Sequence, residues 1–125
     1  MLRPRVRLAV PVALALAAVL AACGGEGPVA RAPAGRVALA LHDYYLEPTQ
    51  VRTRAGRVRF DVVDRGRIGH NLRVFRNGRT YVSISTLKPG ERATATVELP
   101  RGAYRLFCSV ANHEELGLRG ALIVR

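Results

Sequence analysis

From Arg36 onward the chain consists of short runs that alternate apolar and polar residues, and it contains no helix-length amphipathic stretch. In the clearest run, Val58, Phe60 and Val62 alternate with charged residues, so one strand face is apolar and the other is charged. Turn residues separate this run from the others, which lie near 36–42, 49–54, 70–76, 80–85, 92–98, 102–107 and 120–124. The pattern predicts an all-β, two-sheet sandwich of about eight strands.

The first 22 residues have the pattern of an export signal. Three arginines precede an apolar stretch over 8–22, which is too short for an ordinary membrane-spanning helix. Residues 20–23, Leu-Ala-Ala-Cys, resemble the bacterial lipobox, in which the cysteine becomes the lipidated first residue of the mature protein. We therefore predict a lipoprotein signal peptide at 1–22. Simple secretion and an uncleaved anchor are the alternatives.

Three segments follow from this assignment. Residues 1–22 are the predicted signal peptide, and residues 23–35 are a lipidated Cys23 with a Gly-, Pro- and Ala-rich flexible tether. Residues 36–125 form one domain. Acyl chains on Cys23 would hold it firmly on a bilayer. The predicted location is therefore exported, at the cell membrane or outer membrane, facing the periplasm or the extracellular space.

The chain has two cysteines, and a lipidated Cys23 leaves Cys108 as a lone thiol in an oxidising compartment. A metal that holds Cys108 as thiolate is one explanation, and an inert buried cysteine is another. A nucleophile activated by imidazole would need an orienting partner and a substrate cleft, and no protease-like signature surrounds Cys108. His113 lies on the same short loop. A thiolate and imidazoles that converge favour a soft transition metal, copper above all.

The loop pattern C-x4-H-x4-L-x-G resembles the C-terminal metal loop of the cupredoxins, the plastocyanin and azurin family. Cys108 and His113 match the thiolate and imidazole ligands, and Leu118 stands where the family usually has Met. The glycines that flank this axial position are matched by Gly117 and Gly120. The likeness covers roughly residues 36–125 and implies a Greek-key sandwich with one mononuclear type 1 copper site.

The resemblance also implies a first histidine ligand far upstream. Residues 69–74, Gly-His-Asn-Leu-Arg-Val, are similar to the G-H-N segment of azurins, so His70 is the expected ligand. The family further implies a contact from the backbone carbonyl of Gly69 and a bracing role for Asn71. Alternate residues of a strand face the same side of a sheet, and His70 shares its side with the apolar residues of its strand. Cys108 does the same in its own strand. We therefore expect both side chains to point inward, at the rim of the sandwich.

The choice of metal depends on Leu118. Zinc with one thiolate and two imidazoles requires a fourth donor, or an open position for water. Leu118 cannot donate and would shield that position, whereas copper tolerates a weak or absent axial bond. A site without metal remains the other alternative.

The predicted function is therefore electron transfer by a blue copper protein, not catalysis. The expected partner is a redox protein, which could be acidic. The alternative is a copper-handling or delivery protein, or a copper-free structural module. We expect a monomer and no nucleic-acid partner, because an exported domain would not meet nucleic acid and no aromatic-interleaved basic face is present.

The formal net charge of +11 falls to +8 without the first 22 residues. Such a charge could attract an acidic redox partner or hold the domain against anionic lipid. However, 19 of the 20 basic residues are arginines spread along the chain, which indicates a bias of composition more than one patch. His42 is out of phase with its apolar neighbours and is predicted to face solvent. No chemistry is assigned to Tyr44, Tyr45, Glu114 or Glu115.

Overall fold

The computed structural model describes residues 28–125, and the predicted signal peptide and Cys23 lie outside them. No helix within the described residues is long and apolar enough to cross a membrane. The elements in chain order are β1 (Ala30–Arg31), β2 (Arg36–His42), β3 (Tyr45–Glu47), β4 (Gln50–Thr53), β5 (Gly56–Asp64), β6 (His70–Arg76), β7 (Arg79–Leu87), β8 (Arg92–Leu99), β9 (Gly102–Phe107), α1 (His113–Leu116) and β10 (Arg119–Val124).

The all-β prediction is confirmed, and each of the eight predicted runs is a strand. Two further strands, β1 and β3, bring the total to ten. Both are too short to show an apolar alternation, and they form because a neighbouring strand offers a hydrogen-bonding edge: β1 pairs with β4, and β3 pairs with β2. β1 lies within the segment whose composition predicts a tether.

The strands form two sheets. The six-stranded sheet has the order β1-β4-β10-β9-β6-β7, and the four-stranded sheet has the order β3-β2-β5-β8. Most neighbours are antiparallel, but β1 runs parallel to β4, β4 runs parallel to β10 and β2 runs parallel to β5. The facing sides of the two sheets supply one core, in which Phe60, Leu72, Leu106 and Leu122 are fully buried.

Strand direction places the connections at two ends of the sandwich. The ligand end carries the connections 43–44, 65–69, 88–91 and 108–118. The opposite end carries the turns 32–35, 54–55, 77–78 and 100–101, together with Arg125. All three predicted metal-binding side chains belong to the ligand end.

Candidate metal centre

The three predicted ligands meet at one point, and two different mechanisms bring them there. His70 is the first residue of β6, and Cys108 directly follows β9. Because β6 and β9 are hydrogen-bonded neighbours, with Arg73 opposite Phe107, the sheet itself sets the position of His70 relative to Cys108. His113 is brought back to them by the loop between β9 and β10, where it begins the four-residue helix α1.

The donor atoms are close enough to share one ion. Nδ1 of His70 lies 3.1 Å from Nδ1 of His113, which lies 3.7 Å from Sγ of Cys108. All three donor atoms lie within 4.8 Å of one another. In a trigonal centre with metal–donor bonds of about 2.0–2.3 Å, the donors lie about 3.5–4 Å from one another. The donor–donor distances in this cluster, from 3.1 Å up to at most 4.8 Å, bracket that range. The donor set and its spacing therefore fit a bound metal.

The three side chains are buried, with exposed fractions of 0% for His70, 1% for Cys108 and 7% for His113. Polar groups are costly in such surroundings unless they have partners. A metal ion would give the two Nδ1 atoms and the sulfur a common partner.

Asp43, in the connection between β2 and β3, holds the imidazole of His70. Its Oδ1 accepts a 2.6 Å hydrogen bond from Nε2 of His70, and its Oδ2 accepts one of 2.8 Å from the backbone N–H of Arg67. These two hydrogen bonds, that of Arg67 first, lower the pKa of Asp43. The carboxylate therefore keeps the proton of His70 on Nε2, which leaves the lone pair of Nδ1 facing the centre.

A second carboxylate fixes the connection 65–69, which leads into His70. Asp64 is fully buried and accepts hydrogen bonds from the backbone N–H groups of Gly66, at 2.8 Å, and His70, at 3.1 Å. Gly66 packs so closely that a Cβ there would collide with the Asp43 carboxylate and the His70 ring. The close packing at Gly66 and the hydrogen bonds to Asp64 therefore fix the backbone of the connection 65–69, and with it the position of His70.

Hydrogen bonds also hold Cys108. The backbone N–H of Asn71 points at Sγ of Cys108 over 3.4 Å, a contact that favours the thiolate. The side chain of Asn71 accepts a 2.8 Å hydrogen bond from the backbone N–H of Ser109 and donates one of 3.0 Å to the Ser109 hydroxyl. Asn71 therefore ties β6 to the start of the ligand loop.

The remainder of the ligand loop closes on itself around His113. The backbone N–H of Cys108 donates to the carbonyl of Leu118 at 3.1 Å, and that of Leu118 donates to the carbonyl of His113 at 3.0 Å. Leu118 is 1% exposed and belongs to the main apolar core. The residue that the resemblance places at the axial position is therefore a buried member of the apolar core.

Tyr44 covers the two imidazoles. Its ring stands edge-on to His113, with centroids 5.0 Å apart, and to His70, at 6.1 Å. The carbonyl of Tyr44 approaches Gly117 at a point where a Cβ would clash, and Gly117 has a φ of 127°, which also favours glycine. The connection 43–44 thus contributes both a partner for His70 and a cover for the centre.

Asp43 and Tyr44 were missed from the sequence because no local pattern links them to the ligands. Asp43 precedes His70 by 27 residues and lies in a connection of the four-stranded sheet, whereas His70 belongs to the six-stranded sheet.

The remaining candidates stay outside the cluster. His42 is hydrogen-bonded to Glu47 at 2.8 Å and stacks on Tyr45, and Glu114 pairs with Arg105 at 3.0 Å.

Comparison with solved structures identifies the fold. An auracyanin from Roseiflexus castenholzii is 14% identical with a TM-score of 0.69, over 75% of this chain and 99% of that one. Rusticyanin from Thiobacillus ferrooxidans is 12% identical with a TM-score of 0.65, over 80% and 84% of the two chains. Auracyanin A, a "blue" copper protein from Chloroflexus aurantiacus, is 17% identical with a TM-score of 0.62, over 73% and 100%.

No protein-family model and no curated protein sequence matches the chain. The structural matches nevertheless define its fold as that of the cupredoxins. Within that fold, the cluster of His70, Cys108 and His113 fits one mononuclear type 1 copper site.

Proposed function

We propose that this protein is an exported, membrane-anchored type 1 copper protein that carries single electrons between redox partners, with Leu118 in place of the axial methionine. The observation that carries the proposal is the buried convergence of two imidazole nitrogens and one sulfur within 4.8 Å. This donor set suits copper, and the structurally similar auracyanin A is described as a blue copper protein.

Copper bound there would supply a one-electron couple, and the chain supplies a fixed geometry. The β6–β9 ladder positions His70 against Cys108, while Asp43 orients the His70 ring and Asn71 braces the ligand loop. Because His70 and Cys108 are each held from a second side, these two donors have little to rearrange when the charge at the centre changes.

Two side chains keep water away from the donors. Leu118 contributes hydrocarbon from the core, and Tyr44 covers the imidazoles from the connection 43–44. Leu118 also disfavours zinc, because it offers neither a fourth donor nor a free position for water. Without a sulfur donor at position 118, the reduced state Cu(I) should be favoured and the potential raised.

His113 is the proposed port for the partner. Its exposed fraction of 7% is the largest of the three ligands, and His70 has none. An electron would then enter or leave through the His113 edge at the ligand end, with Cys108 as the strongest electronic link inside the protein. The partner in this proposal is a second redox protein that contacts that end.

Export and anchoring are supported by the sequence alone. The apolar stretch 8–22 and the lipobox-like residues 20–23 are the evidence for lipidation of Cys23. Mass spectrometry of the N-terminal peptide from membrane-purified protein tests this directly. An acylated peptide beginning at Cys23 is expected, and an unmodified chain that retains residues 1–22 would contradict the anchor.

The copper assignment is tested by loading the purified protein with Cu(II). We expect one equivalent to bind and to give an intense visible sulfur-to-copper charge-transfer band, which a one-electron reductant bleaches reversibly. Cys108→Ser should abolish the band, whereas Ser109→Ala should retain it. A loaded protein that stays colourless would refute the electron carrier and favour the alternative of copper delivery or of a copper-free structural module.

A further inference from the structure

The two ends of the sandwich differ in charge. Of the acidic residues in 28–125, only Glu98 lies at the opposite end, whereas the ligand end holds Asp43, Asp64, Glu91, Glu114 and Glu115. Six basic residues offset these five acids: Arg65, Arg67, Lys88, Arg92, Arg119 and Arg105, which is paired with Glu114. The opposite end holds eight arginines: Arg31, Arg52, Arg54, Arg57, Arg76, Arg79, Arg101 and Arg125. The net positive charge is therefore concentrated away from the metal centre.

Most arginines of the opposite end have no acidic neighbour within the described residues, although Arg57 lies directly opposite Glu98 in the pairing of β5 with β8. In the part of the chain that the structure describes, ion pairs of arginine involve Arg36, Arg59 and Arg105 alone. Arg79 instead lies 4.7 Å over the ring of Tyr81, and Arg76 donates to the carbonyl of Arg101 at 2.9 Å. These contacts orient the guanidinium groups and leave their charge free for an external anion.

The edge of the six-stranded sheet adds a cleft to this surface. Arg31 and Arg52 are directly opposite in the pairing of β1 with β4, so two like charges are neighbours on one face. With Arg54 and Arg125 they line an open cleft of about 480 Å³, and Nε of Arg52 is buried without a hydrogen-bond partner. An anion in this cleft would relieve the repulsion between the guanidinium groups.

The N-terminal segment connects to the same edge. The predicted anchor Cys23 precedes Ala30 by only seven residues, and Ala30 lies beside Val51 in the strand that leads to Arg52 and Thr53. At about 3.3–3.6 Å per residue, a fully extended segment of that length reaches at most about 25 Å. Because β1 runs parallel to β4, the chain enters β1 from the ligand side, and this length lets an acylated Cys23 bring either end of the domain to the lipid headgroups. The charge of the arginines, and not the tether, therefore selects the opposite end.

We propose that the arginine-rich opposite end binds the anionic phospholipid headgroups of the membrane that carries the anchor, with the ligand end directed away from the bilayer. The inference rests on the anchoring part of the proposed function. Basic residues close to an anionic surface each strengthen binding by about fivefold, so three of them change it by roughly 100-fold. The attraction is electrostatic and weakens as salt shortens its range.

Arginine footprinting on the acylated, copper-loaded protein tests the orientation. The protein is reconstituted in vesicles of phosphatidylcholine, or of phosphatidylcholine with one third phosphatidylglycerol, and is modified with phenylglyoxal before mass spectrometry. Arg54 and Arg101 should be modified several-fold more slowly in the anionic vesicles, whereas Arg65 and Arg119 should not change. High salt should remove the protection. Equal protection of both ends, or none, would overturn the proposal.

Two matched variants and one competitor complete the test. Replacing Arg54, Arg101 and Arg125 by Gln should abolish the phosphatidylglycerol-dependent protection of Arg57, and replacing Arg65, Lys88 and Arg119 by Gln should retain it. All six positions are exposed. Inorganic phosphate in neutral vesicles should not reproduce the protection, and if it does, the surface is a general phosphate site and not a lipid surface.

Failure of the anchor is distinguishable from failure of this surface. If the N-terminal peptide is not acylated, the same purified protein is sedimented with the two kinds of vesicle. Binding that requires phosphatidylglycerol and falls roughly 100-fold in the Arg54, Arg101 and Arg125 variant would support the surface without the anchor. Binding that is equal for both vesicles would refute it.

Discussion

The carboxylate of Asp43 accepts a 2.6 Å hydrogen bond from Nε2 of His70, although Asp43 lies in a connection of the four-stranded sheet and His70 begins a strand of the six-stranded sheet. The bond selects one tautomer of His70 and aims Nδ1 at the centre. A negatively charged partner also makes an imidazole a better donor, and this favours the more highly charged state of a bound metal.

Replacing Asp43 by Ala should weaken Cu(II) binding by about 10–100-fold, since the loss of a carboxylate partner of a ligating histidine typically has an effect of that size. Asp43→Asn keeps an acceptor for Nε2 and should recover much of the affinity, but with a raised potential because the negative charge is gone. Chelator competition gives the affinity, and voltammetry gives the potential. Glu115→Gln, an exposed change on the ligand loop, is the matched control and should alter neither.

Leu118→Met tests whether hydrocarbon at this position raises the potential. The exchange nearly conserves volume, so it should change the free energy of unfolding by less than about 1.5 kcal/mol. The added thioether should stabilise Cu(II) and lower the potential measured by voltammetry. Leu99→Met, a buried exchange at the opposite end, should leave the potential unchanged. An unchanged or raised potential in Leu118→Met would count against the assigned role.

Asn71→Ala removes the side-chain hydrogen bonds to Ser109 but leaves the backbone N–H that points at Cys108. Asn71 is 5% exposed, and the loss of its partners should reduce the free energy of unfolding by about 1–3 kcal/mol. The visible band should persist in the copper-loaded protein, while copper dissociates faster from the loosened loop. Urea unfolding and stopped-flow chelation measure the two effects. Unchanged values in both would show that Asn71 does not brace the loop.

Asp61 should make stability depend on pH. Its hydrogen bond from Arg59, and then that from Arg36, lower its pKa in the folded protein. A lowered pKa means a stabilising contribution that is present above the unfolded-state pKa of about 3.9 and is lost as pH falls through the folded-state value. Urea unfolding of metal-free protein below pH 5 should therefore show a smaller acid destabilisation in Asp61→Asn than in Glu115→Gln. The same slope in both variants would disprove this contribution.

Much of the fold could be predicted from the sequence because the sheets are buried on one side only, so apolar residues alternate strongly along strands such as β5 and β9. β1 and β3 escaped prediction, since their two and three residues cannot show a period. Their existence depends on the exposed edges of β4 and β2, which are properties of the assembled sheets.

The same distinction applies to the site. Cys108 and His113 share one loop, so their spacing was visible in the sequence, and the resemblance supplied His70. Asp43 and Tyr44 were not visible, because only the packing of the connection 43–44 against the ligand loop brings them to the imidazoles. The concentration of charge at one end was likewise hidden: the arginines are spread along the chain, and the strand directions collect eight of them at the opposite end.

The ligands differ in how they are attached to the fold, and this has a consequence for metal exchange. His70 and Cys108 extend from adjacent strands of one ladder, so separating them requires breaking sheet hydrogen bonds. His113 is held only within the ligand loop, by one helical turn and the loop's own backbone hydrogen bonds, and it is also the most exposed of the three. The site thus has two donors held by the sheet and one donor held only by a loop. Copper would enter and leave on the His113 side, and that imidazole would be the last to bind and the first to release.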